Sequence, residues 1–202
     1  MRIGLVPVSA KPYHAGHHAL VTKAANENEK VILFVSTSDR KRSGEFPIFG
    51  TDMLKVWQEE LENIMPGNVE IQYGGSPVRN VYETLSAAND SGSSDVYVVY
   101  SDPVDTAQNY PETSLVKYCN SLRSSGKCLL AAEENPGSLT RGEGTPNISG
   151  TKVRHMLQTK DLEGFITAMP AGANGQNIFN ILIRQDQNEV LIRNFIREII
   201  VG

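Results

Sequence analysis

An α/β fold built on a parallel sheet is what this sequence predicts, and two observations predict it. Five short runs rich in β-branched and aromatic residues recur along the first two thirds of the chain, each of strand length. The intervals between them carry longer patterns of helical period, so strand and helix alternate as βαβ units require. Such units set consecutive strands parallel, with right-handed crossovers and helices on both faces of the sheet.

The strands are expected over residues 3–8, 31–36, 69–73, 96–100 and 127–131. Helices are expected between them over 16–26, 51–64, 78–89 and 111–124, with Asn, Gly or Ser where each should stop. Residues 133–147 are rich in Gly, Pro, Glu and Asn and read as a loop. Beyond it only helices follow, over 148–158, 161–169, around 177–183, and over 189–201 with Leu191, Phe195 and Ile199 on one face. The division is a core over 1–147 and a helical C-terminal part over 148–202. All 202 residues form one domain, because the few residues after the Gly-rich break at 170–176 cannot bury a core of their own.

Composition narrows the function. A formal charge of −4 argues against a nucleic-acid partner, which needs a concentrated basic face. The longest apolar runs fall far short of the roughly 20 residues that span a bilayer, so no membrane partner is expected. Two cysteines and no secretion signal point to a reducing compartment, the cytoplasm. The oligomeric state stays open, and a homo-oligomer is compatible with everything here.

Three of the four histidines lie within the stretch His14-Ala15-Gly16-His17-His18, where the first strand hands over to the first helix. In an open α/β sheet that loop borders the ligand crevice, and the unpaired amides and positive dipole end of the following helix favour a phosphate. Gly16 lets backbone approach closely, and His14 and His17 both reach the helix N-terminus. His18 points about 100° away. Metal binding is the rival, but no Cys or carboxylate accompanies the pair as the third ligand that zinc would want.

A second motif, Ile148-Ser149-Gly150-Thr151-Lys152-Val153-Arg154, opens a helix after the loop. Either Ser149 or Thr151 serves as N-cap, and Thr151 and Arg154 share a face on which an anion could be gripped.

Taken together, "HAGH" and "ISGTKVR" resemble the HxGH and ISxTxxR motifs of the nucleotidyltransferase superfamily, which includes cytidylyltransferase-like and nicotinamide mononucleotide adenylyltransferase-like members. That resemblance implies a Rossmann-like five-stranded sheet of order 3-2-1-4-5. It also implies transfer of a nucleoside monophosphate from a triphosphate to a small anionic acceptor, with pyrophosphate released. His14, His17 and Arg154 would be catalytic, with Ser9, Gly16, Ser149, Gly150 and Thr151 binding the nucleotide. Mg²⁺ would bridge the triphosphate, with no protein metal ligands assigned.

"SGT", in place of a Ser-Thr-rich version of the motif, favours ATP over CTP, and a cytidylyltransferase is the alternative. Val8 stands where many members carry glycine, and Lys11 puts a cation where acceptor contacts are expected; Arg42, from the run Arg40-Lys41-Arg42, and Arg79 are further acceptor candidates. Arg79 and Asp102 also border the expected crevice, and Arg141 in "SLTRGEG" resembles the arginine upstream of the late motif in cytidylyltransferases, at a longer spacing to Ile148 that weakens the cytidylyl alternative. If Val8 and Lys11 abolish turnover, the protein is a non-catalytic nucleotide sensor with the same pocket.

Overall fold

A computed structural model describes residues 1–184 of the protein. The expected helix over 189–201 lies outside the described residues. Five strands, β1 (Arg2–Val8), β2 (Lys30–Val35), β3 (Val69–Tyr73), β4 (Val96–Val99) and β5 (Cys128–Leu130), form one all-parallel sheet in the order β3-β2-β1-β4-β5. Register runs from Ile3 opposite Lys30 to Val8 opposite Val35, and Arg2 faces Val96 on the other side of β1.

Alternation along each strand divides the core in two. Ile3 and Leu5 of β1, Phe34 of β2 and Val99 of β4 face one layer, built by α3 (Pro77–Asp90) and α5 (Glu112–Ser124) through Leu85, Leu115 and Leu122. Val6 and Val8, Leu33 and Val35, and Val98 face the other. There α1 (Ala15–Glu27), α2 (Gly50–Val56), α7 (Gly150–Thr159), α8 (Leu162–Ala168) and the helical residues 175–184 contribute Val21, Met53, Val153, Phe165 and Ile178. Strands covered on both faces read as nearly unbroken apolar runs, which is why their positions were plain in the sequence.

Three stretches differ from expectation. The helix expected over 51–64 is α2 followed by one π-turn (Trp57–Leu61) and a 3₁₀ turn (Glu62–Ile64). The widened turn carries Trp57, buried against Tyr13 with ring centroids 4.7 Å apart. A helix the sequence reading omitted, α4 (Pro103–Asn109), starts where the Asp102 side chain accepts the Asp105 amide at 2.9 Å and proline takes the first helical position. The stretch 133–147 is not all loop. β5 stops at Leu130, α6 (Ala131–Glu134) follows at once, and a 3₁₀ turn (Pro136–Leu139) comes next, because Ala131, Ala132 and Leu139 are buried against the end of the sheet. Among the described residues no helix is long and apolar enough to cross a membrane.

Candidate active site

β1 has a neighbour on each side. The chain moves from it to β2 and later returns to its other edge at β4, so the gap between the carboxyl ends of β1 and β4 is the topological switch point. A cavity of about 110 Å³ lies there, walled by Ser9, His14, Gly16 and His17 on the β1 side and by Asp102 and Arg141 opposite. A wider depression of about 580 Å³, reaching Val104 and Thr140, shares Asp102 and Arg141 with it. These two residues form an ion pair, Nη2 to Oδ2 3.0 Å, on the border of both spaces.

His14 is the N-cap of α1. Its backbone is extended, and its Nδ1 accepts the Gly16 N–H at 3.2 Å. An accepting Nδ1 leaves the proton of the neutral ring on Nε2, so the free edge of the imidazole is a hydrogen-bond donor. Burial, assisted by the charges of Arg141 and Arg154, lowers the His14 pKa to about 4. His17 stacks on it with ring centroids 3.9 Å apart, and burial, then His14 and Arg141, hold its pKa well below the ordinary histidine value. Its Nδ1 is buried without a hydrogen-bond partner. The pair is therefore neutral at pH 7, because burial resists the charging of either ring. His18 turns away to Tyr13, whose hydroxyl lies 3.3 Å from its Nδ1. Glycine at position 16 leaves room for the His14 ring, since a Cβ there would stand 3.1 Å from it and push the ring aside by a few tenths of an ångström.

The second motif folds against the first loop from behind. Of the two candidate caps, Ser149 opens α7, its side chain accepting the Lys152 amide at 3.3 Å. Thr151 Oγ1 instead accepts from Arg154 Nη2 at 3.0 Å, and Arg154 Nη1 donates to the Lys11 carbonyl at 2.7 Å. Arg154 Nε stands 2.9 Å from Glu45 Oε2, and the side chain is almost fully buried. A Cβ at residue 150 would come within 2.9 Å of Arg154 Nη1, so Gly150 makes room for this fold-back.

Lys11 is buried too. Its Nζ donates to the Ser36 carbonyl at 2.8 Å, and burial lowers its pKa to about 8. The sequence candidates thus fall into three groups. Ser9, His14, Gly16 and His17 wall the cavity. Lys11, Ser149, Gly150, Thr151 and Arg154 form an interlocked set behind it. Arg42, exposed in the loop after β2, and Arg79, paired with Glu83 at 2.7 Å on the surface of α3, are not brought to the cavity wall.

Sequence reasoning singled out neither Asp105 nor Glu45. Asp105 lines the cavity, and burial beside Asp102 raises its pKa. The Asp-Pro-x-Asp spacing after β4 was a usable signal for it, since a capping Asp before Pro places the second carboxylate in the first helical turn.

Sheet order, crevice position and a histidine-capped helix at the switch point define a class: a Rossmann-like α/β domain with its first loop at the crevice between β1 and β4. Comparison with known families agrees. Residues 3–70, about a third of the chain, match the model of the Citrate lyase ligase C-terminal domain, a nucleotidyltransferase-like family, and that match supports the nucleotidyltransferase superfamily. No curated protein matches the chain.

Proposed function

We propose that the protein is an adenylyltransferase, moving AMP from ATP to a small anionic, phosphorylated acceptor. An acceptor oxygen attacks the α-phosphorus, the bond to the bridging oxygen breaks, and pyrophosphate departs. The observation that carries this reading is the His14 ring. Its Nδ1 is committed to the Gly16 amide, which leaves an Nε2–H donor beside His17 in a cavity at the switch point. In-line attack between two phosphates needs positioned donors and positive charge and no protein nucleophile. His14, His17 and Arg141 are suited to that work at the cavity, and Arg154 to the terminal phosphates once its internal contacts are exchanged for theirs.

Among the described residues there is no cluster of three or more metal-ligating side chains. Mg²⁺ commonly binds through one or two carboxylates plus substrate phosphates and water, and Asp102 and Asp105 at the cavity edge fit that pattern. When bound, the ion neutralises phosphate charge. The nucleotidyltransferase-like match and the short "SGT" cap favour ATP over CTP.

A thermal-shift series with ATP, CTP, GTP and UTP, each with Mg²⁺, tests the reading through ligand linkage. ATP should raise the melting temperature most. No shift with any triphosphate at millimolar concentration would overturn the nucleotide site. Pyrophosphate release with ATP and a panel of phosphorylated acceptors then separates an enzyme from a nucleotide sensor.

A further inference from the structure

The loop between β2 and α2 doubles back on itself. Arg40 and Ile48 exchange backbone hydrogen bonds of 2.8 and 3.0 Å, and Glu45 lies on the segment between them. Its carboxylate takes two bonds from Arg40, Oε2 to Nε at 3.0 Å and Oε1 to Nη2 at 3.3 Å. The same Oε2 is 2.9 Å from Arg154 Nε. One carboxylate thus sits between two guanidiniums, one of them buried.

Two features mark this as an anion seat with a makeshift occupant. The Arg154 Nε–H is buried and makes no aligned hydrogen bond, although the carboxylate is close enough to pair by charge. A buried donor left in that state costs free energy that a better-placed oxygen would recover. Charge is also in surplus. Arg40 and Arg42 both act on Arg154 as like charges, while the one partly exposed carboxylate of Glu45 is shared between Arg40 and Arg154. A phosphate tail offers more charge and more oxygens than Glu45 does, and Arg forks match it well.

We propose that Glu45 is a resident anion in the seat of the nucleotide's terminal phosphates, a specificity-determining residue that yields to triphosphate or pyrophosphate and excludes inorganic monophosphate. The proposal rests on the reading of Arg154 as a phosphate contact and adds the competitor for that contact. Bare arginines at this seat would collect any phosphate in solution and hold pyrophosphate after turnover. A tethered carboxylate removes both problems, because it returns to the guanidiniums as the product leaves.

The test is calorimetric titration of wild type and Glu45→Gln with ATP, AMP, pyrophosphate and inorganic phosphate, all with Mg²⁺. Glu45→Gln should bind ATP and pyrophosphate at least about tenfold tighter, the scale of one charge-assisted contact no longer contested, and should bind inorganic phosphate that wild type ignores. AMP affinity should not change, since it lacks the phosphates concerned. If Glu45→Gln unfolds, Glu45→Asp keeps the charge one methylene short of Arg154 and should show the same preference with a smaller gain. Equal or weaker pyrophosphate binding by these variants, with ATP still bound by wild type, overturns the role of Glu45 and leaves the nucleotide reading standing. ATP bound by neither protein overturns that reading and the proposal with it.

Discussion

Replacing His14 by glutamine should make the protein less stable at neutral pH and more stable in acid. The native ring titrates at about 4 against an ordinary 6.5, because burial resists its charging. The native state therefore refuses a proton that the unfolded chain accepts, and stability rises with pH across the window from about 4 to 6.5. A 2.5-unit difference at about 1.36 kcal/mol per unit makes the loss near pH 4 about 3 kcal/mol. Against this, the His14→Gln variant lacks the imidazole that caps α1, at a cost of about 1 kcal/mol at every pH. The stability curves of the two proteins should cross near pH 6, with the variant ahead by about 2 kcal/mol at pH 4. Urea unfolding at intervals between pH 7 and 4 measures both curves. Glu27, Asp39 and Glu70, whose native pKa values are lowered, lose their contributions in both proteins and cancel in the difference. Parallel curves that never cross would show that the native ring takes up its proton freely, and the argument from burial would fall.

Gly16→Ala should leave stability within about 1 kcal/mol, since a helix gains from alanine what the displaced His14 ring loses, yet turnover should fall about 100-fold as the ring shifts. Steady-state kinetics and urea unfolding on one preparation check both halves. Arg154→Ala should lose about 3 kcal/mol even without nucleotide, because it strips a buried guanidinium from the Lys11 carbonyl and Glu45; unchanged urea midpoints would contradict the contacts described. Arg141→Gln should raise the His14 titration midpoint, seen by NMR of the imidazole protons, since one of the charges that lower it is gone. Binding of ATP at pH 6 should draw protons onto the protein, read from the buffer dependence of the calorimetric heat, as the anion favours imidazolium.

The central strands were legible to within a residue or two because both their faces are covered, so Val31 to Val35 or Val96 to Val99 could be little else, while the edge strand β3 showed itself by alternation, with Val69 and Ile71 half-buried and Glu70 and Gln72 exposed. The histidine loop was legible for a local reason, since the glycine and both rings lie within four positions and act on one helix terminus. What escaped was non-local. Nothing near Arg154 announces that it turns inward, because its partners Lys11 and Glu45 are 143 and 109 positions away in the chain. Arg141 stands farther from Ile148 in sequence than the cytidylyltransferase resemblance expects, and the fold takes up the extra length. Residues 141 and 145 bridge to each other and fold the excess back, leaving the guanidinium on Asp102. The π-turn at Trp57 escaped because its one-residue offset leaves the apolar pattern of the helix almost untouched.

The hydrogen bond from Arg154 to the Lys11 carbonyl sets an order of events during synthesis. At ribosomal rates of about 5–20 residues per second, the 143 residues between them take roughly 7–30 seconds to emerge. Through that interval a nascent chain can pair β1 with β2 and then β4, and can form α1 with its histidine cap, while the carbonyl that α7 will secure stays solvated. The first loop is among the earliest parts made and among the last to be fixed. A chain released after residue 147 would carry both imidazoles and all five strands, yet no guanidinium to lock the turn that presents them. Premature termination would also strip Val153, Phe165 and Ile178 from one face of the sheet, so that core layer is complete only once translation has run well past the last strand.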